Sequence, residues 1–599
     1  MAFFTKLKAE PESRKIASFD IETSGDKNIF LFGSVWYDDK HRLFFDCEEM
    51  LDWIMHNLGG YWVYATNLEF DFFALWKKYL KKYPNTPIFN NRLLCVRAFN
   101  SVLQQTRHVI GKEVKFLDTM NYLPVSVESL GKIIGIEKMK HPEKLGCNFS
   151  EMTESEKEYF IKYNIQDSRI TYEFIKWFQK ELLSFGAELD ITISRIALQT
   201  FRRKFFDDLW FPPKKHINDL VRKAYYGGRT EVFKRGKVEN LNYYDVNSLY
   251  PSVMLDALPH PNTAKYVYKF EMKDLGYCGV ADVVVYCDPK IFPYLPKRTE
   301  TGKLVFPVGE FSGCYTTYEL NVALSLGYKI LSFGEGVIFT EKKEFFKDYV
   351  ETIYAKRMEY KKQKNPAETI FKLLLNSLYG KFGQRGSDEE WIHASDLTEE
   401  MIPDIKQIID ETYIRIKRNK PESTFVHPII SAYVTAYART KLYFLLLKND
   451  PYYCDTDSLF TKNEIKTSDD LGALKLECRI KSGIIVKPKC YFIDTDDEKK
   501  PIQAKIKGAK RMTPSGFMDV IGGKSVSYEK FMKFKESIKR KMDVNEKLIV
   551  SKTFLLEDDK RVWAKKFNAN ELQTSTPIAY IHQDSDDLDD EGEKSHAIS

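Results

Sequence analysis

Apolar and polar positions alternate through Ile16-Ala17-Ser18-Phe19-Asp20-Ile21-Glu22, the two-residue period of a strand, whereas 154–178 repeats its apolar residues at helical spacing. The mixed pattern between them predicts an α/β unit ending near residue 185. From 225 to 491, polar islands interrupt apolar runs. Two irregular stretches separate these islands. Residues 257–348 carry the turn signals His260-Pro261-Asn262, Asp288-Pro289, Gly302 and Gly309 around β-like runs such as 280–286. Residues 384–425 are strongly charged and are broken by Pro403 and Pro421. Both read as insertions between functional islands. No period of 20–50 residues repeats, which counts against solenoids and propellers.

A chain of 599 residues exceeds what one core usually organises, so several domains in series are expected. No stretch approaches the roughly 18 apolar residues of a membrane span, and the opening MAFFTKLKAEPESRK lacks an apolar secretory core. The expectation is a soluble, intracellular protein with no membrane partner. Nine cysteines without a Cys-x-x-Cys pair suggest reduced thiols. The net charge of +6 understates the basic body, because 584–593 holds seven acids and no base; setting them aside leaves 91 basic residues against 78 acidic. That excess permits a polyanionic partner without naming one.

Asp20 and Glu22 share one face of the predicted strand, where two acids repel unless a cation joins them. Two further islands add acids: Asn67-Leu68-Glu69-Phe70-Asp71, and Tyr163-Asn164-Ile165-Gln166-Asp167, whose Tyr163 and Asp167 share a helix face. Such a set can hold two metals around a water, as hydrolysis of a phosphodiester requires. A second constellation joins Asp245-Val246-Asn247-Ser248-Leu249-Tyr250-Pro251, where a strand ends and Pro251 can open a helix, to the predicted hairpin Tyr453-Cys454-Asp455-Thr456-Asp457-Ser458. Between them, Lys372, Asn376, Tyr379 and Gly383 form one helical stripe, opposite Leu374, Leu375 and Leu378. A lysine there can neutralise a triphosphate, and a tyrosine beside glycines lets a base pair lie close.

The three early islands resemble the exonuclease motifs of the DnaQ-type proofreading domain of family B DNA polymerases. The later ones resemble that family's motifs A, B and C, as D-x-x-S-L-Y-P, K-x-x-x-N-S-x-Y-G and Y-x-D-T-D-S. Tyr225-Tyr226-Gly227-Gly228 matches its Y-x-G-G segment, and Lys489-Cys490-Tyr491 its K-x-Y. The likeness runs in order over 16–491. It implies a multidomain α/β and α+β fold, with an RNase H-like exonuclease domain joined to a right-hand palm, fingers and thumb. The exonuclease would occupy 1–185, palm 186–256 and 426–520, fingers 349–383, thumb 521–580 and an acidic, disordered tail 581–599. The stretches 257–348 and 384–425 resemble the two terminal-protein regions of the protein-primed branch found in small Bacillus phages and adenoviruses.

By this resemblance Asp20, Glu22, Asp71 and Asp167 bind metal and Tyr163 orients the attacking water. Thr23, Asn67, Phe70 and Thr119 meet the frayed primer end, although Met120 stands where the branch usually has Leu. Asp245, Asp457 and the main chain of Val246 would hold metal, with Asp455 as an auxiliary acid. Lys372, Asn376, Tyr379, Tyr250 and Val246 would bind nucleotide, and Tyr225, Gly227, Gly228, Lys489 and Tyr491 would bind DNA. Lys356, Arg357, Lys361 and Lys362 are further candidates for the triphosphate, and Lys505, Lys507, Lys510 and Arg511 for DNA. The implied cofactor is Mg²⁺, two ions per site, with Mn²⁺ tolerated. The implied partners are primer-template and single-stranded DNA, deoxynucleoside triphosphates and a terminal protein, in a host cytoplasm if the source is viral. The charged stretch 384–425, with Trp391, Ile392, Ile402, Ile405, Ile408 and Ile409, is expected to form an arm that closes on the template and displaces its complement. Alternatives are a family B enzyme that starts without a protein primer, a nuclease whose second half only binds DNA, and a replication scaffold.

Overall fold

The computed structural model describes residues 3–24, 29–76, 95–98, 114–144, 147–385, 389–394, 397–408, 413–417, 422–508, 512–531 and 547–580. The tail 581–599, Lys510 and Arg511, and Ile409 lie outside the described residues.

The strand expected at 16–22 is Ile16–Ser24, third in a six-stranded sheet ordered Lys40–Phe44, Ile29–Tyr37, Ile16–Ser24, Trp62–Ala65, Val114–Asp118, Cys95–Ala98. It is antiparallel to Ile29–Tyr37 and parallel to Trp62–Ala65, so even its small residues are buried. One face is covered by the helix Glu154–Ser184, fixed by Ser18 donating to the carbonyl of Ser168 at 2.6 Å and the Trp36 indole donating to that of Ile165 at 3.0 Å. This helix starts on a reciprocal cap, in which the Thr153 N–H donates to Glu156 Oε2 at 2.7 Å and the Thr153 hydroxyl accepts from the Glu156 N–H. It runs past 178 because Gln179 to Leu183 are good helix formers, and it stops before the left-handed Gly186, φ 68°.

A nine-stranded sheet organises the second half. Its main path is Ile502–Ile506, Cys490–Thr495, Leu474–Lys487, Lys234–Val246, Ser458–Thr461, Tyr453–Asp455, Thr230–Val232. The helix Pro428–Lys448 is buried along most of its length, and Glu368–Phe382 packs beside it. One continuous core runs from Phe178 and Leu182 through Leu189, Phe201 and Val246 to Leu374, so no packing boundary falls at 185.

The stretch 257–348 builds a sheet of its own. Strands Ala264–Val267, Lys329–Phe339, Cys278–Cys287 and Val308–Thr316 are joined at the edge by Ala579–Tyr580. Within the expected thumb, Val526–Phe531 pairs with Lys547–Lys552. The end of the 521–580 block departs from that unit: Gln573–Thr576 pairs with Lys234–Val246, and Ala579–Tyr580 runs parallel to Val308–Thr316. The stretch 384–425 forms a three-stranded sheet of Glu389–His393, Tyr413–Lys417 and Ile405–Ile408. Ile414 and Ile416 of the central strand are buried, whereas Ile402 and Ile408 are exposed. A central strand meets neighbours on both edges, and edge strands do not. Among the described residues, no helix is long and apolar enough to cross a membrane, and eight of the cysteines form no disulfide.

Candidate active sites

The strand and the long helix bring the first set of acids together. Asp20 accepts from the Asn164 side-chain amide at 2.7 Å, and Asn164 Oδ1 accepts from the Ser34 hydroxyl at 2.6 Å. Asp71 enters from the first turn of Leu68–Trp76, and Asp167 from Glu154–Ser184. Burial raises the Asp20 carboxyl well above its usual range, and the charges of Asp71, Glu22 and Asp167 raise it further. Burial and Asp167 push Glu22 up to about 8. Asp71 is raised well above its ordinary value by burial, Glu22 and Asp118, and Asp167 is raised by burial against the pull of Lys138.

Lys138, which sequence reasoning missed, is ion-paired with Asp167 and lies 4.5 Å over the Tyr163 ring. The Tyr163 hydroxyl is 3.0 Å from His141 Nδ1. As they lie, no three acids, histidines or cysteines among the described residues enclose a cation site. The donor set nonetheless suits a divalent ion: four carboxylates oppose one another in a buried place, and Asp167 Oδ1 is buried with no hydrogen-bond partner. Thr23 and Phe70 are half-buried near these acids, and Asn67, at φ 72°, donates its N–H to Asp118 Oδ1 at 3.1 Å. Thr119 departs from the expectation of a DNA contact. Its side chain is fully buried and its hydroxyl donates to Thr66 at 3.1 Å, because it follows an interior strand directly.

The second set joins the end of one strand to the turn of the hairpin beside it. Asp245 stands opposite Ser458, and the Val246 N–H donates to the carbonyl of Asp457 at 2.8 Å, which sets the two acids side by side. The Val246 side chain is buried, leaving its main chain for the site. Burial, Asp457 and Glu477 push Asp245 up to about 7, against the pull of Lys372 and Lys475. Asp457 is raised by burial, with Lys372 opposing. Lys372 thus projects its charge on both acids from Glu368–Phe382, whose Leu374, Leu375 and Leu378 are buried as the stripe predicts. Asn376 is half-buried on the same helix. The helix after Asp245 opens at Leu249, two residues before Pro251, with Ser248 left-handed at φ 51°.

Tyr250 stacks on Tyr379, ring centroids 4.8 Å apart and planes within 14°. A Cβ on Gly228 would lie 2.7 Å from Thr456 Cγ2 and 3.0 Å from the Tyr250 hydroxyl. The Tyr225 to Gly228 segment is held by Arg439, absent from the sequence reading, which donates through Nη1 to the carbonyls of Tyr226 at 2.6 Å and Gly227 at 3.1 Å and pairs with Glu319 at 2.6 Å. A cleft of about 1180 Å³ opens beside this segment, with Arg222, Lys223, Lys297, Arg298 and Arg385 on its walls. Lys489 Nζ is 3.1 Å from Asp455. Tyr491 is only 4% exposed and packs on Tyr453 and Phe460, so it braces the hairpin and offers little surface to DNA. Of the cations considered for a triphosphate, Arg357 is bound to Ser248 and Glu368, Lys356 to Glu359 and Lys361 to Asp469.

Among curated proteins, a probable DNA polymerase of Ascobolus immersus is 30% identical over 66% of this chain. The chain spans only 38% of that protein's length, and a similar share of its Neurospora intermedia and Podospora anserina counterparts. The DNA-directed DNA polymerase of Enterobacteria phage PRD1 is 27% identical, over 82% of this chain and 85% of its own. Among solved structures, phi29 DNA polymerase complexed with primer-template DNA and incoming nucleotide superposes with a TM-score of 0.70 at 18% identity, covering 91% of this chain and all of that one. That likeness speaks for the fold alone, and agrees with the expected multidomain α/β and α+β architecture. Residues 136–469, more than half of the chain, match the profile of DNA polymerase type B, organellar and viral, and the chain belongs to that family.

Proposed function

We propose that this chain is a DNA-directed DNA polymerase with its own 3′→5′ exonuclease, that it starts synthesis on a terminal protein, and that it displaces the strand ahead of it. The observation that carries the reading is the juxtaposition of Asp245, near the end of its strand, and Asp457, in the adjoining hairpin turn, under the charge of Lys372, on a chain that holds a second, four-acid centre elsewhere. Asp245, Asp457 and the Val246 carbonyl would hold two divalent ions, Mg²⁺ in the cell, which activate the primer hydroxyl and screen the triphosphate. Lys372 would neutralise the triphosphate. The stacked rings of Tyr250 and Tyr379 offer a flat wall to the nascent base pair. In the first centre, Asp20, Glu22, Asp71 and Asp167 would hold the ions, with Asp167 releasing Lys138, and Tyr163 would orient the attacking water.

Separating the two activities tests the proposal. Asp457→Asn should abolish nucleotide addition and spare degradation of single-stranded DNA, and Asp20→Ala with Glu22→Ala should do the reverse. Loss of both activities in either folded variant would refute two independent centres. Priming is read separately, by incubation with a candidate terminal protein, labelled dATP and Mg²⁺. Covalent label on the protein supports protein priming; extension of DNA primers without such label assigns the enzyme to the branch that starts otherwise.

A further inference from the structure

Asp455 belongs to the same hairpin as Asp457, yet its oxygens are engaged elsewhere. Oδ1 accepts from the Thr230 hydroxyl at 3.1 Å and lies 3.1 Å from Lys489 Nζ; Oδ2 lies 3.8 Å from Lys505 Nζ. The register explains the convergence. Tyr491 stands directly opposite Lys505 in the pairing of Cys490–Thr495 with Ile502–Ile506, so these two side chains share one side of the sheet, and Lys489 reaches the same acid from the turn that precedes Cys490. The backbone fixes this arrangement: Lys489 is left-handed at φ 60°, its N–H donates to the Tyr453 hydroxyl at 3.2 Å, and its carbonyl accepts from the Lys507 N–H at 3.0 Å. Lys505 also lies 5.6 Å over the Tyr491 ring.

One carboxylate thus faces two ammonium groups. A single lysine would satisfy it, and a second adds repulsion unless another anion joins the group. Both lysines remain partly open to solvent, 42% and 50% exposed, while Asp455 is only 13% exposed. The anion that fits is a phosphodiester, which supplies the charge the pair of lysines lacks. We propose that Lys505 is a primer-strand contact, seating a backbone phosphate together with Lys489, and that Asp455 is the positioning acid that holds both lysines ready. This inference rests on the polymerase reading and adds a residue outside the K-x-Y segment.

The test is the salt dependence of primer-template binding, measured by fluorescence anisotropy with a labelled primer at several salt concentrations. Each lost phosphate contact makes the slope of log K against log salt shallower by about 0.9. Lys505→Gln should show that change and weaker binding, with the KM for dNTP unaltered, while Lys505→Arg keeps the wild-type slope. Lys565→Gln, at a surface pair with Glu571, is the control and should change neither. A lysine that only braces Asp455 would lower kcat or the melting temperature and leave the slope alone, and that result would overturn the proposal. If the wild-type chain neither binds nor extends a primer, the polymerase reading fails along with it. If the wild type extends normally and Lys505→Gln keeps its slope, this inference alone fails.

Discussion

Arg439→Met separates polar support of the Tyr225 to Gly228 segment from simple packing. Arg439 is 3% exposed in the helix Pro428–Lys448; its Nη2 is 2.6 Å from Glu319 Oε1, and its Nη1 serves the carbonyls of Tyr226 and Gly227. Methionine occupies a similar path without charge. Removing one partner of a buried pair strands the other and costs about 3–5 kcal/mol. Two carbonyls also lose their donor, at about 1–3 kcal/mol each if water cannot reach them. Glu319 keeps the Thr316 hydroxyl at 2.8 Å on its other oxygen, so the expected loss lies near the lower end of the sum, about 5 kcal/mol in all. That is a large share of a typical stability of about 5–15 kcal/mol. Adding Glu319→Gln removes the stranded charge and should recover about 2 kcal/mol, yet it gives the Tyr226 and Gly227 carbonyls no donor. Urea unfolding of the four members of this cycle measures the first effect, and primer-template affinity the second. A loss under about 1 kcal/mol in Arg439→Met, or recovery of DNA affinity in the double variant, would refute the reasoning.

Tyr250→Val should raise ribonucleotide incorporation, because the Tyr250 ring, stacked on Tyr379, would no longer fill the space of a ribose 2′-hydroxyl; unchanged discrimination in a single-nucleotide extension assay would reduce Tyr250 to a packing residue. His427 is buried against Phe4 and Trp210, and burial pushes its imidazole down to about 3. The unfolded chain takes up that proton below about pH 6.5 and the native chain does not, so this contribution is complete above pH 6.5 and falls by about 1.4 kcal/mol per unit down to about pH 3; denaturant midpoints at pH 7 and 5 should differ less in His427→Phe. Replacing 388–422 by a short Gly/Ser linker should preserve gap filling and abolish synthesis through a downstream duplex, each base pair of which costs about 1.4 kcal/mol of stacking to open. Wild-type displacement in that deletion would remove the three-stranded sheet from the role of wedge.

What the sequence revealed follows from local periodicity. Asp20 and Glu22 share a face because strands repeat every two residues, and Tyr163 and Asp167 because helices repeat near four, so both pairs were readable from a dozen residues. The residues that were missed owe their roles to long-range packing. Arg439 is one of three cations in a largely apolar helix, and its partners lie 120 and about 213 residues away in the chain. Lys138 sits in a loop and meets Asp167 only because the helix Glu154–Ser184 returns past it. Thr119 and Tyr491 occupy positions that a motif labels as contacts, but depth in a sheet is set by which strands flank it, and no local pattern records that. The final strands were equally hidden, since two-residue pairings such as Ala579–Tyr580 have no period to detect.

The motif glycines illustrate how separate islands depend on one another. Gly228 does not require left-handed backbone; it lacks a side chain because the Thr456 methyl and the Tyr250 hydroxyl occupy the place a Cβ would take. Thr456 is itself left-handed at φ 68°, between Asp455 and Asp457, and its N–H donates to the Arg229 carbonyl at 2.7 Å, so it has little freedom to retreat. Gly383 is similar: a Cβ there would meet Tyr225 at 2.6 Å and the Ser431 hydroxyl oxygen at 2.7 Å, while Ser431 donates to the Tyr379 carbonyl at 2.6 Å. Four sequence islands thus close on one another through two missing side chains. A methyl group at either glycine must displace an acid-bearing turn or a tyrosine of the nucleotide wall, at about 1–3 kcal/mol for overpacking, so the loss would appear in nucleotide addition before it appeared in the fold.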